Sequence, residues 1–145
     1  MFLTQTSSFN RLNAWRRLRK SFSPNPTMHE VVSAFNITPQ RTRYIDYYIP
    51  KHWPNVFEIV NEGMFCQSGI SIILAATLID LKIINSRTLH FDVISSQIDS
   101  IEGLVLKVDN KYLNFVPGTI STEDEVKRNG TVFDSHIITA DKIFC

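Results

Sequence analysis

Residues 65–81 have the sequence Phe-Cys-Gln-Ser-Gly-Ile-Ser-Ile-Ile-Leu-Ala-Ala-Thr-Leu-Ile-Asp-Leu, and this stretch decides the fold. It is the longest apolar run of the chain, and a cysteine stands near its start. In a helical arrangement, apolar residues cover most faces. One face holds Ile70, Ile73, Leu74 and Leu78. The sequence therefore predicts a central helix over about residues 68–81 that is buried on most sides.

Cys66 directly precedes this predicted helix. The free backbone N–H groups and the positive end of the helix dipole lie at such a position, where they stabilise a thiolate. Because the thiolate is the nucleophilic form of cysteine, Cys66 is a candidate catalytic residue. The alternative is that Cys66 is a small buried apolar residue, which is how most free cysteines behave.

The composition fits one compact domain. The chain has 145 residues, of which 43% are apolar and 11% aromatic, which suffices for a core and excludes disorder throughout. The only cysteines, Cys66 and Cys145, form no C-x-x-C pair, so we expect no structural zinc site, no disulfide framework and a reducing compartment. The apolar run is interrupted at Asp80 and Lys82, too early for a membrane span, and we expect no signal peptide.

The N-terminal part of the chain is basic. Residues 1–52 contain eight Lys or Arg against two Asp or Glu, a balance of +6, whereas the remaining residues have seven against twelve, a balance of −5. Residues 8–22 place apolar side chains at spacings of three or four with basic residues between them, which predicts an amphipathic basic helix. The prolines of residues 23–26 end it. We expect a basic amphipathic arm over residues 1–26 and one globular domain over residues 27–145.

This arm is a candidate docking site. The residues predicted to contact a partner are Arg11, Trp15, Arg16, Arg17, Arg19 and Lys20. Their charge favours a protein partner with an acidic surface. Alternatively, the apolar stripe packs on the body of the protein and leaves the basic groups in solvent, or the arm binds nucleic acid or a membrane surface.

Three further helices are indicated by their end signals. Thr27-x-x-Glu30 and Thr122-x-x-Glu125 are capping boxes that begin two of them, and Gly130 is placed as the C-terminal cap of the second. Trp53-Pro54-Asn55 starts a third helix, with Pro54 tolerated in its first turn, and Gly63 stops it.

After the central helix the hydrophobic period changes to two, which predicts strands. The predicted strands are residues 89–94, 103–108, 111–116 and 131–139. Asp109-Asn110 joins the second and third as a hairpin. The predicted fold is α+β, with N-terminal helices and one buried central helix packed on an antiparallel sheet of about four strands.

Residues from about 55 to 118 resemble the papain-like, transglutaminase-like and NlpC/P60-like cysteine enzymes, because a cysteine heads a buried helix and an antiparallel sheet follows. The resemblance implies that the helix presents the nucleophile and that the next strands supply a histidine base and then a polar residue that orients it. The histidine falls at Gly103 and the orienting residue at Asn114. The base is missing from its place, so either the alignment is wrong or the enzyme is degenerate.

Two histidines elsewhere are candidates for the missing base. His90 with Asp92, and His136 with Asp134, alternate onto one face of their strands and bring an acid beside an imidazole. Such pairs are also common on solvated strand faces, so the alternative is that neither histidine has a catalytic role.

The sequence predicts neither a metal nor a cofactor. His29 and His52 precede the central helix and are weaker candidates for a base, and no clustered ligand spacing supports a metal site. A Walker loop, a Rossmann glycine pattern, a nucleophile-elbow serine and a zinc-protease helix are all missing from the sequence.

A second resemblance is to small proteins of tailed bacteriophages. It rests on the Trp-Pro segment at residues 53–58, the Phe65-Cys66 pair that opens the apolar helix, and the strand Tyr112-Leu113-Asn114-Phe115. It implies a phage-encoded particle component or host-acting factor, in the virion or the host cytoplasm.

The leading functional prediction is a non-enzymatic binding or assembly protein, a phage-encoded virion component that docks through its basic arm. It rests on the charge polarity and on the missing histidine at Gly103. The alternative is a cysteine hydrolase or acyltransferase that uses Cys66 with His90 or His136 as base and Asn114 as orienting residue. A third is a nucleic-acid-binding accessory protein. Without a phage origin, we expect a cytoplasmic protein.

Overall fold

The apolar run forms the predicted helix. In a computed structural model of the chain, which describes residues 7–40 and 45–145, this helix spans Gln67–Asp80 and is named α4. Every residue from Gln67 to Leu78 is buried, because neighbouring elements remove its aliphatic faces from water. The prediction of a buried central helix is confirmed. Neither α4 nor another helix in the described ranges is long and apolar enough to cross a membrane.

Further helices, short 3₁₀ turns and five strands surround α4 in the described part of the chain. The helices are α1 (Ser8–Ser21), α2 (Met28–Ala34), α3 (Val56–Glu62) and α5 (Glu123–Asn129), and the 3₁₀ turns are Pro50–His52 and Ala140–Ile143. The strands are β1 (Thr88–Ser96), β2 (Glu102–Val108), β3 (Lys111–Leu113), β4 (Ile120–Thr122) and β5 (Gly130–Thr139). The predicted α+β class is confirmed.

α3 ends at Gly63 as predicted, but Pro54 lies before the helix and not in its first turn, and the capping box that begins α3 was not predicted. The Asn55 side chain accepts a hydrogen bond from the Glu58 N–H at 2.9 Å, and the Glu58 carboxylate accepts one from the Asn55 N–H at 3.2 Å, which completes a capping box. Gly63 ends α3 with a φ of 72°, in the left-handed region that favours glycine. Gly130 differs from its prediction: its φ is −163°, so it is extended and begins β5 instead of capping α5.

α1 packs against α3 and α4. Trp15 is 1% exposed, and its Nε1–H donates to Thr77 Oγ1 on α4 at 3.0 Å. Arg11 Nε donates to the backbone oxygen of Val60 on α3 at 2.7 Å. The helix predicted over residues 8–22 is confirmed, and it shares its core with the following segment. The division of the chain at residue 26 stays a prediction.

The strands form one antiparallel sheet in the order β4-β3-β2-β1-β5. The sequence predicted about four strands and missed β4, which has only three residues and no alternating pattern. Asp109 and Asn110 join β2 to β3 with φ values of 49° and 64°. A two-residue hairpin loop needs two such left-handed residues, so the predicted hairpin is confirmed.

The sheet has two apolar faces. Leu89, Phe91 and Val93 of β1 belong to the main core together with α4. Residues at alternate positions of β1 point to the other side. There, a smaller cluster consists of Ile94, Val105, Tyr112, Phe115 and Val126. Polar side chains at the even-numbered positions of β1 therefore lie on the face away from α4.

Candidate functional site

Cys66 occupies the N-cap position of α4 and is partly exposed. Burial is the largest influence on its thiol and raises its pKa. The backbone groups of Gly69, Ser68, Cys66 and Ile45 act in the opposite direction and lower the pKa only in part, and the thiol makes no capping hydrogen bond to α4. In the free protein at neutral pH, Cys66 is therefore a protonated thiol.

Gly103 on β2 lies against the first turn of α4. A Cβ atom at this position would lie 2.9 Å from Ser68 Oγ and 3.2 Å from Gln67 Cβ, so the present packing leaves no room for a side chain. Ser68 Oγ accepts a hydrogen bond from the Leu104 N–H at 3.0 Å and occupies the space. The position where the resemblance expects histidine is thus at the head of the helix, but it is closed.

Asn114 also reaches the first turn of α4. Its backbone oxygen accepts a hydrogen bond from Gln67 Nε2 at 3.2 Å, and its Oδ1 accepts one from the Gly118 N–H at 2.6 Å. Asn114 is fully buried, and its Nδ2 has no hydrogen-bond partner among the described residues. The three positions that the resemblance aligns, Cys66, Gly103 and Asn114, therefore come together at one end of α4. The orienting role of Asn114 stays a prediction.

Sequence reasoning missed the two residues that connect these positions. Gln67 bridges α4 to the end of β3, and Ser68 bonds β2, while Ser71 Oγ donates to the Leu104 oxygen at 2.6 Å. The available signal was the presence of polar residues in the first turns of an otherwise apolar helix. Buried polar side chains need partners, so these residues indicated a contact with backbone.

A second polar cluster lies on the opposite face of the sheet, around Asp92. Asp92 is 2% exposed. Its carboxylate lies 2.7 Å from His90 Nε2 and accepts hydrogen bonds from the Tyr112 hydroxyl at 2.5 Å and the Ser135 hydroxyl at 2.6 Å. Burial acts to raise the pKa of Asp92, but the hydrogen bonds outweigh it and hold the pKa below its ordinary value. Burial and the carboxylate raise the pKa of Tyr112.

This cluster contains one predicted pair, since His90 and Asp92 are neighbours as expected. It does not bring His90 to Cys66, because even-numbered β1 residues face away from α4. Sequence reasoning missed Tyr112 and Ser135 as partners of Asp92. They come from β3 and β5, and their proximity depends on strand order. The role of His90 as a base stays a prediction.

His136 on β5 lies on the face of the main core. Its ring packs edge to face on Trp53, with 5.5 Å between the ring centres. Its Nε2 is 3.3 Å from Asp134 Oδ2, but the geometry does not make a hydrogen bond, and this buried atom has no other described partner. The predicted acid and imidazole are thus neighbours here too, although His136 makes no described contact with Cys66.

The other two histidines are further candidates of lower rank. His52 Nδ1 lies 3.3 Å from Asp46 Oδ2, and both side chains are largely exposed. His29 is exposed on α2. None of the four imidazoles makes a described hydrogen bond or ion pair with Cys66, so the free protein has no assembled thiol–imidazole pair.

The basic residues of the predicted arm divide into two groups. Arg11 bonds the backbone of α3, while Arg19 lies over the Trp15 ring, 4.0 Å from its centre, and 3.6 Å from Asp80. The exposed members are Arg16, Arg17 and Lys20. Docking of an acidic protein or of nucleic acid on these side chains stays a prediction.

Two structures of LapG from Legionella pneumophila are similar to the chain. The calcium-bound structure has a TM-score of 0.63 at 18% identity and covers 94% of this chain and 82% of its own. A second LapG structure has a TM-score of 0.62 at 17% identity and covers 94% and 80%. No protein-family model matches, and no curated protein matches by sequence. This chain therefore shares the fold of LapG, which supports the papain-like and transglutaminase-like resemblance.

This similarity overturns the leading functional prediction. A non-enzymatic binding or assembly protein is wrong as the main interpretation, because the similar structures have a cysteine protease fold and favour the enzymatic alternative. The sequence reasoning gave the missing histidine at Gly103 more importance than the shared architecture. No finding supports the phage and virion assignments.

One of the similar LapG structures is calcium-bound, which raises the question of whether this chain has residues suited to the ion. Its described residues contain no group of three or more His, Cys, Asp or Glu side chains that could hold a metal. Calcium prefers six to eight oxygen ligands. The described side chains do not fit such an ion, and no step of the chemistry below depends on a metal.

Proposed function

We propose that this protein is a cysteine hydrolase or acyltransferase of the papain-like and transglutaminase-like type, with Cys66 as its nucleophile. The observation that carries the proposal is the position of Cys66 as the N-cap of the buried helix α4, beside Gly103 and Asn114, in a fold similar to LapG. A helix start is the place where a fold can aim unpaired N–H groups at a reacting atom.

The first half of the reaction forms a thioester. The Cys66 sulfur bonds to an acyl carbon of the substrate, and the bond from that carbon to its leaving group breaks. The negative charge that develops on the acyl oxygen is stabilised by the unpaired N–H groups in the first turn of α4, which Cys66 precedes as N-cap. In the second half, water or another nucleophile takes the acyl group and releases Cys66.

The proton of the thiol passes to solvent in this scheme. No imidazole contacts Cys66 among the described residues, and burial keeps the thiol protonated at neutral pH. The reaction therefore proceeds through the small thiolate fraction, and its rate rises with pH until the raised pKa is passed. This distinguishes the protein from an enzyme with an assembled thiolate–imidazolium pair.

The proposal is tested by comparing two reactions of the same thiol. In a Cys145→Ser variant, Cys66 is acylated with p-nitrophenyl acetate and, separately, alkylated with iodoacetamide, both in the folded protein and in urea, with intact-mass detection. Both reactions need the thiolate, so their rate ratio cancels the thiolate fraction. Only acylation develops an oxyanion, so folding should raise the ratio of acylation to alkylation by about tenfold or more.

Two results would overturn the proposal. One is a ratio that folding leaves unchanged or lowers, since Cys66 would then gain nothing from its position. The other is an adduct that remains on the protein indefinitely, because a hydrolase or acyltransferase must release its acyl group. The Cys66→Ser variant, which retains the exposed Cys145, supplies the background rate of an ordinary thiol in the same chain.

A further inference from the structure

The strand β5 lies at an edge of the sheet that the described residues form, and one of its sides has no partner strand there. It pairs with β1 alone in the order β4-β3-β2-β1-β5, over ten residues. Three large apolar side chains on it are exposed, namely Val132 (41%), Phe133 (58%) and Ile137 (70%). Edge strands are usually protected by lysine or proline, and residues 131–139 contain neither.

The hydrogen bonds of Ser135 define the orientation of this edge. The Ser135 N–H donates to the neighbouring Asp134 Oδ1 at 2.9 Å, so it is turned away from the ladder with β1. Because the backbone groups of a strand alternate in direction, the N–H and C=O groups of Ile137 are turned outward as well. An added strand would find its backbone partners at Ile137 and at the Ser135 C=O, whereas the Ser135 N–H already donates to Asp134.

The sequence of β5 is complementary to itself when it is read in both directions from Ser135. In an antiparallel pair of two copies with Ser135 opposite Ser135, Asp134 of each copy faces His136 of the other, and Phe133 faces Ile137. Acid meets imidazole and apolar meets apolar at every one of these positions.

We propose that β5 is a self-recognition edge, through which two copies of this chain pair antiparallel about a two-fold axis at Ser135 and form one continuous sheet. A two-fold axis makes each contact occur twice, which is the usual symmetry of protein dimers. The charge pattern favours a second copy over an unrelated strand, because the acid and the imidazole of β5 are spaced to pair with each other across the axis.

His136 supplies an independent argument for this partner. Its Nε2 is buried and has no hydrogen bond among the described residues, and the nearby Asp134 carboxylate of the same chain, at 3.3 Å, does not have the geometry to accept one. Buried polar atoms without partners are uncommon in native structures. In the proposed pair, the His136 ring, whose side chain is 12% exposed, turns toward the Asp134 carboxylate of the second copy and donates to it across the strands.

A β-bulge at Phe133 limits the pairing on one side. The register with β1 shifts between Val93 and Ile94, so that Phe133 is the extra residue of β5. The regular ladder extends on the other side, from Asp134 to Thr139. The two-fold axis at Ser135 therefore uses the regular part of each strand for its central pairs, and the bulge ends the paired stretch.

The first experiment measures association of the full chain by sedimentation velocity over a range of concentrations. We expect a monomer–dimer equilibrium that Ile137→Lys weakens by about tenfold or more, because the new charge would face an apolar partner. The matched control is Ile98→Lys, which changes another exposed isoleucine, 58% exposed and outside β5. A wild-type chain that stays monomeric at all concentrations, or a dimer that both variants weaken equally, would overturn the proposal.

The second experiment tests the register, in a chain whose native cysteines are replaced by Cys66→Ser and Cys145→Ser. Ser135→Cys should form an intermolecular disulfide on mild oxidation, since directly opposite Cα atoms lie about 5.5 Å apart. Ile137→Cys should not, because its two copies would be offset by four residues along the strand, about 13 Å. Rapid cross-linking of Ile137→Cys with none at Ser135→Cys would rule out this axis.

Discussion

Two polar sites lie on opposite faces of the same sheet and differ in how their hydrogen bonds are completed. At the head of α4, Cys66 has a thiol whose pKa is raised, and no imidazole contacts it among the described residues. On the other face, Asp92 accepts three side-chain hydrogen bonds, one of them from His90. One face has a thiol without a described imidazole partner, and the other has an imidazole already paired with an acid.

The difference shows that fold similarity and a completed site are separate properties. The backbone brings Cys66, Gly103 and Asn114 together as in the resembling enzymes, but Ser68 fills the space that a side chain at position 103 would need. The Asp92 cluster is completed by strands that are not adjacent in sequence. The hydrogen bonds of the Asp92 cluster predict a contribution to stability, whereas the Cys66 thiol makes no side-chain capping hydrogen bond at the start of α4.

The largest expected effect comes from removing the acceptor of the second cluster. Asp92→Ala would leave three buried or partly buried donors without a partner, so we expect the free energy of unfolding to fall by about 3–5 kcal/mol. Urea denaturation measures it. The control Asp124→Ala removes an exposed acid from the first turn of α5 and should cost less than about 1 kcal/mol. Equal costs would show that the cluster adds nothing to stability.

A smaller loss of stability is expected at the closed position beside α4. Gly103→Ala places a Cβ atom 2.9 Å from Ser68 Oγ and should lower the free energy of unfolding by about 1–3 kcal/mol through overpacking. In a Ser68→Gly background the same substitution should cost less, since the clashing atom is gone. A double-mutant cycle by urea denaturation measures the coupling, and a cycle without coupling would contradict the closed packing.

The Asp92 cluster should also make the free energy of unfolding depend on pH in the acid range. The pKa of Asp92 is lowered in the folded protein, so its carboxylate contributes stability that is fully present above the unfolded value, near pH 3.9, and is lost as the pH falls through the lower folded value. The free energy of unfolding should therefore fall more steeply between about pH 4 and pH 2 in wild type than in Asp92→Asn. If the free energy of unfolding fell equally with pH in wild type and in Asp92→Asn, folding would not lower the pKa of Asp92.

The smallest effect concerns the thiol itself and requires a kinetic measurement. Because burial raises the pKa of Cys66 above its ordinary value of 9.0, iodoacetamide should label it several-fold more slowly in the folded Cys145→Ser variant than in urea at about pH 8. The rate in the folded protein should continue to rise above about pH 9. Faster labelling in the folded protein at pH 8 would indicate an activated thiolate.

Local patterns predicted the elements that depend on local chemistry. The aliphatic content of residues 67–78 determines a buried helix, Gly63 ends α3, and Asp109-Asn110 turns the hairpin. Gly130 failed as a cap because a partner strand, and not the helix before it, sets its extended backbone. The conformational preference of a single glycine does not distinguish a helix cap from the first residue of a strand.

The candidate site was predictable only in part, for a physical reason. Alternation on one strand predicts the His90–Asp92 pair, but the donors Tyr112 and Ser135 depend on which strands become neighbours. In the same way, no local pattern of residues shows that Ser68 would close the space at Gly103. The enzymatic alternative was recognised in the sequence, and the missing histidine led to the wrong preference.

The hydrogen bond between Trp15 and Thr77 has a consequence for biosynthesis. The two residues are separated by 62 positions, and the bond joins α1 to the buried helix α4. During translation α1 emerges long before its partner, at about 5–20 residues per second. For several seconds the Trp15 indole and the apolar stripe of α1 have no α4 to pack against, so α1 completes its burial only after the central helix has left the ribosome.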